Sequence, residues 1–310
     1  MEKAAYSRRA HPPGAVFGSW RAPDGWALRR MDWPQAEQGK GRGSLIFANG
    51  RGDFIEKYLE AYGHWHARGW NVTAFDWRGQ GGSRGPGFGY ESFDPLIGDL
   101  AALLADWRGG VPAPHVAIGH SMGGHLLLRT LAERRPTLAA AVLVAPMIGV
   151  NSAPIPARLA PAIARMMCRL GRGAAPMWKT PPGMEQPGGQ RQRNLTGSTE
   201  RYEDEGWWWE REPGWNLGPP SWAWMCAAFR SAAIGFTAEK LARVELPVLL
   251  LEAGRDRLVS AAGIARAAGL LPHAELETFP EAAHEILREA DPIRLAALAR
   301  IDAFLDAHAR

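Results

Sequence analysis

A chain of 310 residues and 33.8 kDa has room for a substantial core in one large domain or two small ones. Its 46% hydrophobic and 22% charged residues, with 36 Gly and 24 Pro, exclude a coiled coil, a collagen and a disordered tail. Two cysteines cannot build a disulfide scaffold or by themselves fill a structural zinc site, and a net charge of +4 gives no ground for a nucleic-acid partner, only a mild preference for anionic surfaces.

No apolar run approaches the roughly 18 residues needed to cross a bilayer. Residues 1–14 hold basic residues and two prolines but no apolar stretch of the signal-peptide kind. The expectation is a cytoplasmic protein with both thiols reduced.

In chain order, 16–21 and 26–32 read as two strands joined by the turn Pro23-Asp24-Gly25. A polar loop, 35–43, precedes a short buried strand, 44–48, that ends at Asn49-Gly50. Apolar spacing predicts a helix over 55–68, stopped by Gly69. A strand at 72–75 runs into Asp76 and a glycine-rich loop, 77–86. A helix over 93–107, a strand over 115–118, a helix over 122–134 and a strand over 139–145 follow. Strands alternating with helices predict a mostly parallel sheet covered on both faces.

The alternation stops at about 147 and resumes at 246–251, with a helix over 261–270, a strand over 274–279 and a last helix over 292–308. The intervening stretch, 147–236, is rich in Pro, Gly, Arg and Trp, and 183–197 within it is polar and loop-like. It holds seven of the 14 tryptophans. About ninety residues is far beyond an ordinary loop. The predicted organisation is a core built from 1–146 and 237–310, with 147–236 as an inserted cap. Its tryptophans serve packing, line an acyl pocket or lie at a membrane interface.

Gly119-His-Ser121-Met-Gly123 has the Gly-x-Ser-x-Gly spacing of a nucleophile elbow. Gly81-Gly-Ser83-Arg-Gly85 has the same spacing, so context decides. Ser121 follows a strand and precedes a helix. Ser83 sits in a loop running into Pro86, with no helix behind it. A sharp strand-to-helix turn lifts a serine hydroxyl above the sheet, and small flanking residues let neighbouring backbone pass. The helix N-terminus favours developing negative charge.

A serine needs a base. Of nine histidines, His64 and His66 fall within a helix and His120 and His125 flank the elbow. His284 lies in a loop after the last strand, where parallel sheets gather functional groups. Asp256, after the 246–251 strand, is the expected orienting acid, with Glu252 as the second candidate and a surface ion pair with Arg255 or Arg257 as the plainer alternative for Asp256. The order Ser, Asp, His is that of one of the three serine-triad arrangements. The oxyanion requires two N–H donors. Met122, next after the serine, is one. The loop Asn49-Gly50-Arg51-Gly52 supplies the other, with Arg51 preferred.

These pieces, with Asp-Trp-Arg-Gly-Gln-Gly-Gly-Ser at 76–83, Gly-Arg-Asp-Arg-Leu-Val at 254–259 and Ala-His-Glu-Ile at 283–286, resemble serine α/β-hydrolases of the monoacylglycerol lipase and lysophospholipase branch. The resemblance implies an α/β-hydrolase fold and hydrolysis of esters with one acyl chain and a polar head. It implies no cofactor and no metal. The partners would be a small-molecule or lipid ester and, transiently, a membrane surface. One departure is Asn49-Gly50 where that branch usually has His-Gly. A backbone donor survives the change. The alternatives are a short-chain carboxylesterase, a thioesterase or a C–C hydrolase, and outside enzymes a non-catalytic binding member of the fold. Carboxylate-nucleophile chemistry is disfavoured by Ser at 121. The glycine loop after Asp76 is no dinucleotide fingerprint, since Arg84 replaces the third glycine. His64-Trp-His66 aims its imidazoles apart and makes a poor metal pair.

Overall fold

The structure, a computed structural model, describes residues 8–36, 41–85, 92–181 and 184–309. The first seven residues, the middle of the 35–43 loop, Pro86 and Gly183 lie outside the described residues. One eight-stranded sheet forms the centre, in the order β1-β2-β4-β3-β5-β6-β7-β8. Its strands are β1 (Val16–Arg21), β2 (Ala27–Trp33), β3 (Gly43–Ala48), β4 (Trp70–Phe75), β5 (His115–His120), β6 (Ala140–Val144), β7 (Val248–Ala253) and β8 (Ala274–Phe279). Only β2 runs against the rest, paired antiparallel to β1 and to β4. From β4 to β8 every pairing is parallel.

The central strands are apolar throughout because both faces are covered. Side chains alternate between faces with period two. On β7, Val248 and Leu250 pack on one side, with α2 (Asp94–Gly110), α3 (Met122–Arg134) and α9 (Ala261–Ala268). Leu249 and Leu251 pack on the other, with α1 (Leu59–His66) and α10 (Asp291–His308). The predicted helix over 55–68 instead opens as a 3₁₀ turn, Ile55–Tyr58, where the Ile55 N–H is drawn to Asp76 Oδ1 at 2.8 Å. The second Gly-x-Ser-x-Gly serine, Ser83, is buried and structural. Its hydroxyl donates to the Asp76 carbonyl and accepts from the Arg29 N–H, both at 2.7 Å.

Between β6 and β7 the chain builds α4 (Ala160–Met167), α5 (Gln190–Leu195), α6 (Thr199–Arg211), α7 (Trp222–Gly235) and α8 (Ala238–Leu241). α4 continues into a π-helical turn, Cys168–Arg172, broken at Gly171 with φ 74°. α5 corrects the reading of 183–197 as loop. Its polar composition hides a short helix whose C-terminal carbonyls are used elsewhere in the fold. Both cysteines are free thiols. Among the described residues, no helix is long and apolar enough to cross a membrane.

Candidate active site

Ser121 stands between β5 and α3 with φ 51° and ψ −115°, a conformation that costs a non-glycine residue. The surroundings impose it. The Ser121 N–H donates to the Val144 carbonyl at 3.0 Å, and its carbonyl accepts from His125 and Met147, each at 3.0 Å. The flanking glycines are required by contact. A Cβ on Gly123 would lie 2.0 Å from the Ala48 carbonyl oxygen, and one on Gly119 would lie 2.8 Å from the Gly123 backbone. The two glycines of the motif are the cost of bringing β3, β5 and α3 together at one point.

His284 approaches from the loop after β8. Its Nε2 lies 2.8 Å from Ser121 Oγ and its Nδ1 lies 2.6 Å from Asp256 Oδ2. A carboxylate only accepts, so Nδ1 carries the proton and Nε2 faces the serine as acceptor. The Asp256 and His284 loops are laced together. Gly254 N–H donates to Phe279 and Arg255 N–H to Ala282, both at 2.9 Å. Gly254 has no room for a Cβ, which would meet the Pro280 carbonyl at 2.5 Å. The Asp256 carboxylate also accepts from Leu258 N–H at 2.7 Å and Val259 N–H at 3.0 Å. It is therefore not engaged as a surface ion pair, and Arg255 pairs with Glu281. Glu252 stays on β7, where burial raises its pKa and Thr278 is its partner.

Burial would raise the Asp256 pKa, but the His284 charge and its hydrogen bonds outweigh burial and hold it low. Burial would lower the His284 pKa, and the Asp256 carboxylate outweighs that and holds it above the ordinary value.

The 49–52 loop lies directly beside the serine. A Cβ on Gly50 would sit 3.3 Å from Ser121 Cβ. Two of its amides are engaged: Gly50 N–H donates to Asp53 Oδ2 at 2.8 Å, and Gly52 N–H donates to Gln80 Oε1. Asn49 turns inward, its amide donating to the Phe75 carbonyl at 3.0 Å and its oxygen accepting from Tyr62 at 3.1 Å. Its side chain thus fixes the loop from below. Arg51 reaches over the Trp224 ring at 5.3 Å and donates to the Gly218 carbonyl at 3.0 Å. Met122 is the first residue of α3, where N–H groups lack intrahelical acceptors.

A buried charge cluster beside the site escaped the sequence reading. Lys57 Nζ is 2.7 Å from Asp53, 2.8 Å from Glu205 of α6 and 2.6 Å from Glu285, next to His284. Arg191 of α5 pairs with Glu205 at 2.5 Å, and Arg288 pairs with Glu285. Three cations thus meet three carboxylates. Burial would neutralise Lys57, but Asp53, Glu205 and Glu285 keep it charged, with its pKa raised. Burial would raise Glu205, but Arg191 and Lys57 bring it to about 2. His120 joins through Asp53 Oδ2 at 3.1 Å and the Tyr58 hydroxyl at 2.8 Å. The local signals were the i, i+4 pair Asp53 and Lys57 and the i, i+3 pair Glu285 and Arg288. What joins these pairs to each other, to Glu205 and to Arg191 is long-range.

A pocket of about 480 Å³ opens onto Ser121 and His284. Its lining includes the apolar side chains Met147, Val150, Ile163, Met177, Met225 and Phe229. It also includes the polar and charged side chains Asp53, Lys57, Arg191, Asn194 and Glu285. His64 is turned to Asp302 and His66 to the Pro34 carbonyl, so the two do not converge. Among the described residues, no group of His, Cys, Asp and Glu is arranged to hold a metal ion.

A family model described as serine aminopeptidase, S33, matches residues 39–291. A probable lysophospholipase L2 of Haemophilus influenzae is 29% identical over 273 residues, 84% of this chain and 83% of that protein. Among solved structures, a soluble variant of monoglyceride lipase from Saccharomyces cerevisiae superposes with a TM-score of 0.74 at 18% identity, covering 98% of this chain and 99% of that one. The monoacylglycerol lipase of Paleococcus ferrophilus gives 0.69 at 20% identity, covering 91% and 99%. These structural likenesses concern the fold. With the family match spanning most of its length, the chain belongs to the serine aminopeptidase, S33, family, and its fold is that of the α/β-hydrolases.

Proposed function

We propose that this carboxylic ester hydrolase cleaves single-acyl lipids, such as monoacylglycerols or lysophospholipids, through a Ser121–His284–Asp256 triad. The observation that carries the reading is the hydrogen-bonded chain Ser121 Oγ–His284–Asp256, at 2.8 and 2.6 Å, opening into a pocket lined by both apolar and polar side chains. Such a pocket suits one acyl chain and one polar head. The name of the Haemophilus relative agrees with the substrate class.

In this mechanism His284 Nε2 takes the Ser121 proton as Oγ attacks the ester carbonyl. Asp256 stabilises the imidazolium. The amides of Met122 and Arg51 hold the oxyanion. The imidazolium then gives its proton to the leaving alcohol, which departs and leaves an acyl-Ser121 ester. Water, deprotonated by His284, attacks that ester and releases the fatty acid. Residues 147–236 act as a cap over the reaction and set the chain length accepted. A cytoplasmic location with transient contact to a membrane surface belongs to the same reading, since such substrates reside in bilayers.

Fatty acid release from a lysophospholipid and from a monoacylglycerol, with fluorophosphonate labelling in parallel, tests the proposal. Wild type is expected to release fatty acid and to label, and Ser121→Ala to do neither. Labelling of Ser121→Ala at wild-type level would remove Ser121 as nucleophile. Labelling of wild type with turnover of short soluble esters alone would move the substrate to the short-chain class.

A further inference from the structure

Five residues after His284 stands a buried carboxylate that no cation meets. Glu289 is 2% exposed, and among the described residues it makes no ion pair. The buried carboxylates of Asp53, Glu205 and Glu285 all reach Lys57. Backbone amides take the place of a cation at Glu289. Its Oε1 accepts from the Ala283 N–H at 2.8 Å. Its Oε2 accepts from the Gly197 N–H at 2.8 Å and from the Ala290 N–H at 3.2 Å. Hydrogen bonds of this kind are what allows a carboxylate to be buried without a counter-ion. They also demand an acceptor at both oxygens. Glutamine fills the same volume but offers one, and its NH₂ would face an N–H.

The two oxygens hold different things. Ala283 directly precedes His284, whose own N–H reaches the Asn194 carbonyl only at 3.3 Å. The firmer anchors lie on either side of the histidine. Ala283 is held by Glu289, and the Glu285 N–H donates to the Leu195 carbonyl at 2.8 Å. Gly197, on the second oxygen, follows α5 in the segment between β6 and β7. It has no positive φ, so space and not conformation asks for glycine there. A Cβ on Gly197 would lie 2.9 Å from Glu289 Oε2. That oxygen cannot yield alone, because its carboxyl group is tied to Ala283. Another bond in the same joint leaves Ala283 untouched: the Thr196 hydroxyl donates to the Arg288 carbonyl at 2.7 Å.

We infer that Glu289 is a positioning residue for His284: its carboxylate fixes the peptide before the histidine and ties it to Gly197, so that the imidazole meets Ser121 and Asp256 at once. The imidazole has little tolerance, with 2.8 Å to one partner and 2.6 Å to the other. A misplacement of about 1 Å in such a constellation costs about 10²-fold in rate. Glu289 touches neither substrate nor reacting atoms and acts through the Ala283 amide. The inference rests on the reading of Ser121, His284 and Asp256 as a catalytic triad, and it adds a second carboxylate to the histidine, one that holds its main chain where Asp256 holds its ring.

Three readouts test it on wild type, Glu289→Gln, Gly197→Ala and Thr196→Val: kcat and KM on a soluble short-chain p-nitrophenyl ester, the rate of fluorophosphonate labelling, and urea unfolding. Glu289→Gln is expected to lower kcat about 10²-fold with KM within about twofold, and to slow labelling by a like factor. Gly197→Ala should lower kcat in the same direction. The double variant should be no slower than Glu289→Gln, since both changes act on one carboxylate. Thr196→Val opens the joint without touching Ala283. It should lower the urea midpoint and keep kcat within about twofold of wild type. A wild-type kcat in folded Glu289→Gln, an effect on KM alone, or an equal fall of kcat in Thr196→Val at the same urea midpoint would overturn the positioning role and leave the triad standing. Should Glu289→Gln fail to fold, Gly197→Ala decides, and a wild-type kcat there overturns the role. A folded wild type that neither turns over the ester nor takes the label would overturn the triad itself, and the positioning role with it.

Discussion

At the scale of single residues, the reactive geometry depends on a strained serine and on two neighbours with no side chain. A methyl group at Gly123 has a carbonyl oxygen 2.0 Å away, so Gly123→Ala is expected to cost about 3 kcal/mol by forcing β3 and α3 apart. Urea unfolding measures the loss, and a change below about 0.5 kcal/mol would show that the elbow has slack. In the proposed mechanism His284 acts as a base only when neutral. Asp256 holds its pKa above the ordinary 6.5 against the pull of burial, so kcat/KM should fall as pH drops through a midpoint above 6.5. In Asp256→Asn the raising partner is gone and the lowering effect of burial remains. The acid midpoint should then move down, while the rate falls about 10⁴-fold. A pH–rate profile that keeps its acid limb unmoved in Asp256→Asn would assign that limb to another group. These residues were legible in sequence because backbone sterics leaves a record there. Glycines mark where chains cross, and Ser121, Asp256 and His284 each follow the end of a strand. Arg51 is singled out only as part of a loop, since the backbone donor proposed for it leaves no side-chain signature.

At the scale of elements, the site is held by contacts that link distant segments. The His284 N–H donates to the Asn194 carbonyl at 3.3 Å and the Glu285 N–H to the Leu195 carbonyl at 2.8 Å. The end of α5 therefore braces the histidine loop. This is why a six-residue stretch rich in Gln, Arg and Asn is helical though it reads as loop: tertiary hydrogen bonds replace an apolar stripe. Lys57 works on a larger scale. It ties Asp53, which accepts from the Gly50 N–H of the 49–52 loop, to Glu205 of α6 and to Glu285 beside the histidine. Lys57→Met would leave three buried carboxylates facing two cations. The expected loss is about 3–5 kcal/mol, read by urea unfolding at neutral pH. Glu205→Gln keeps the volume and should cost less. A Lys57→Met protein as stable as wild type would mean that water already reaches the cluster. From sequence, Lys57 is one of many charged helix residues, and its partners are identifiable only once the fold has brought 53, 205 and 285 together.

At the scale of the whole molecule, the sheet was legible because parallel strands covered on both faces are written as apolar runs separated by helices. What lies over the sheet was legible only as a break in that pattern. The segment from β6 to β7 has no periodic theme of its own, and its elements are fixed by what they cover. α7 packs on the core through Trp224, Met225, Ala227 and Ala228. α6 is anchored through Arg201 to Glu60 of α1 at 2.6 Å. The pocket between that segment and the sheet sets the substrate in the proposed function. Ile163→Trp fills part of its apolar lining, and the preferred acyl chain should shorten while the rate on acetate esters is kept. An unchanged preference, read from the kcat/KM of an ester series, would place the acyl chain elsewhere.

The most direct measurement is hydrolysis of p-nitrophenyl esters from acetate to palmitate by wild type and Ser121→Ala. Turnover by wild type, rising with chain length before it falls, and loss of about 10⁴-fold or more in Ser121→Ala are the expected results. Equal rates in the two proteins, or a folded wild type that turns over no ester and takes no fluorophosphonate label, would contradict a Ser121 hydrolase.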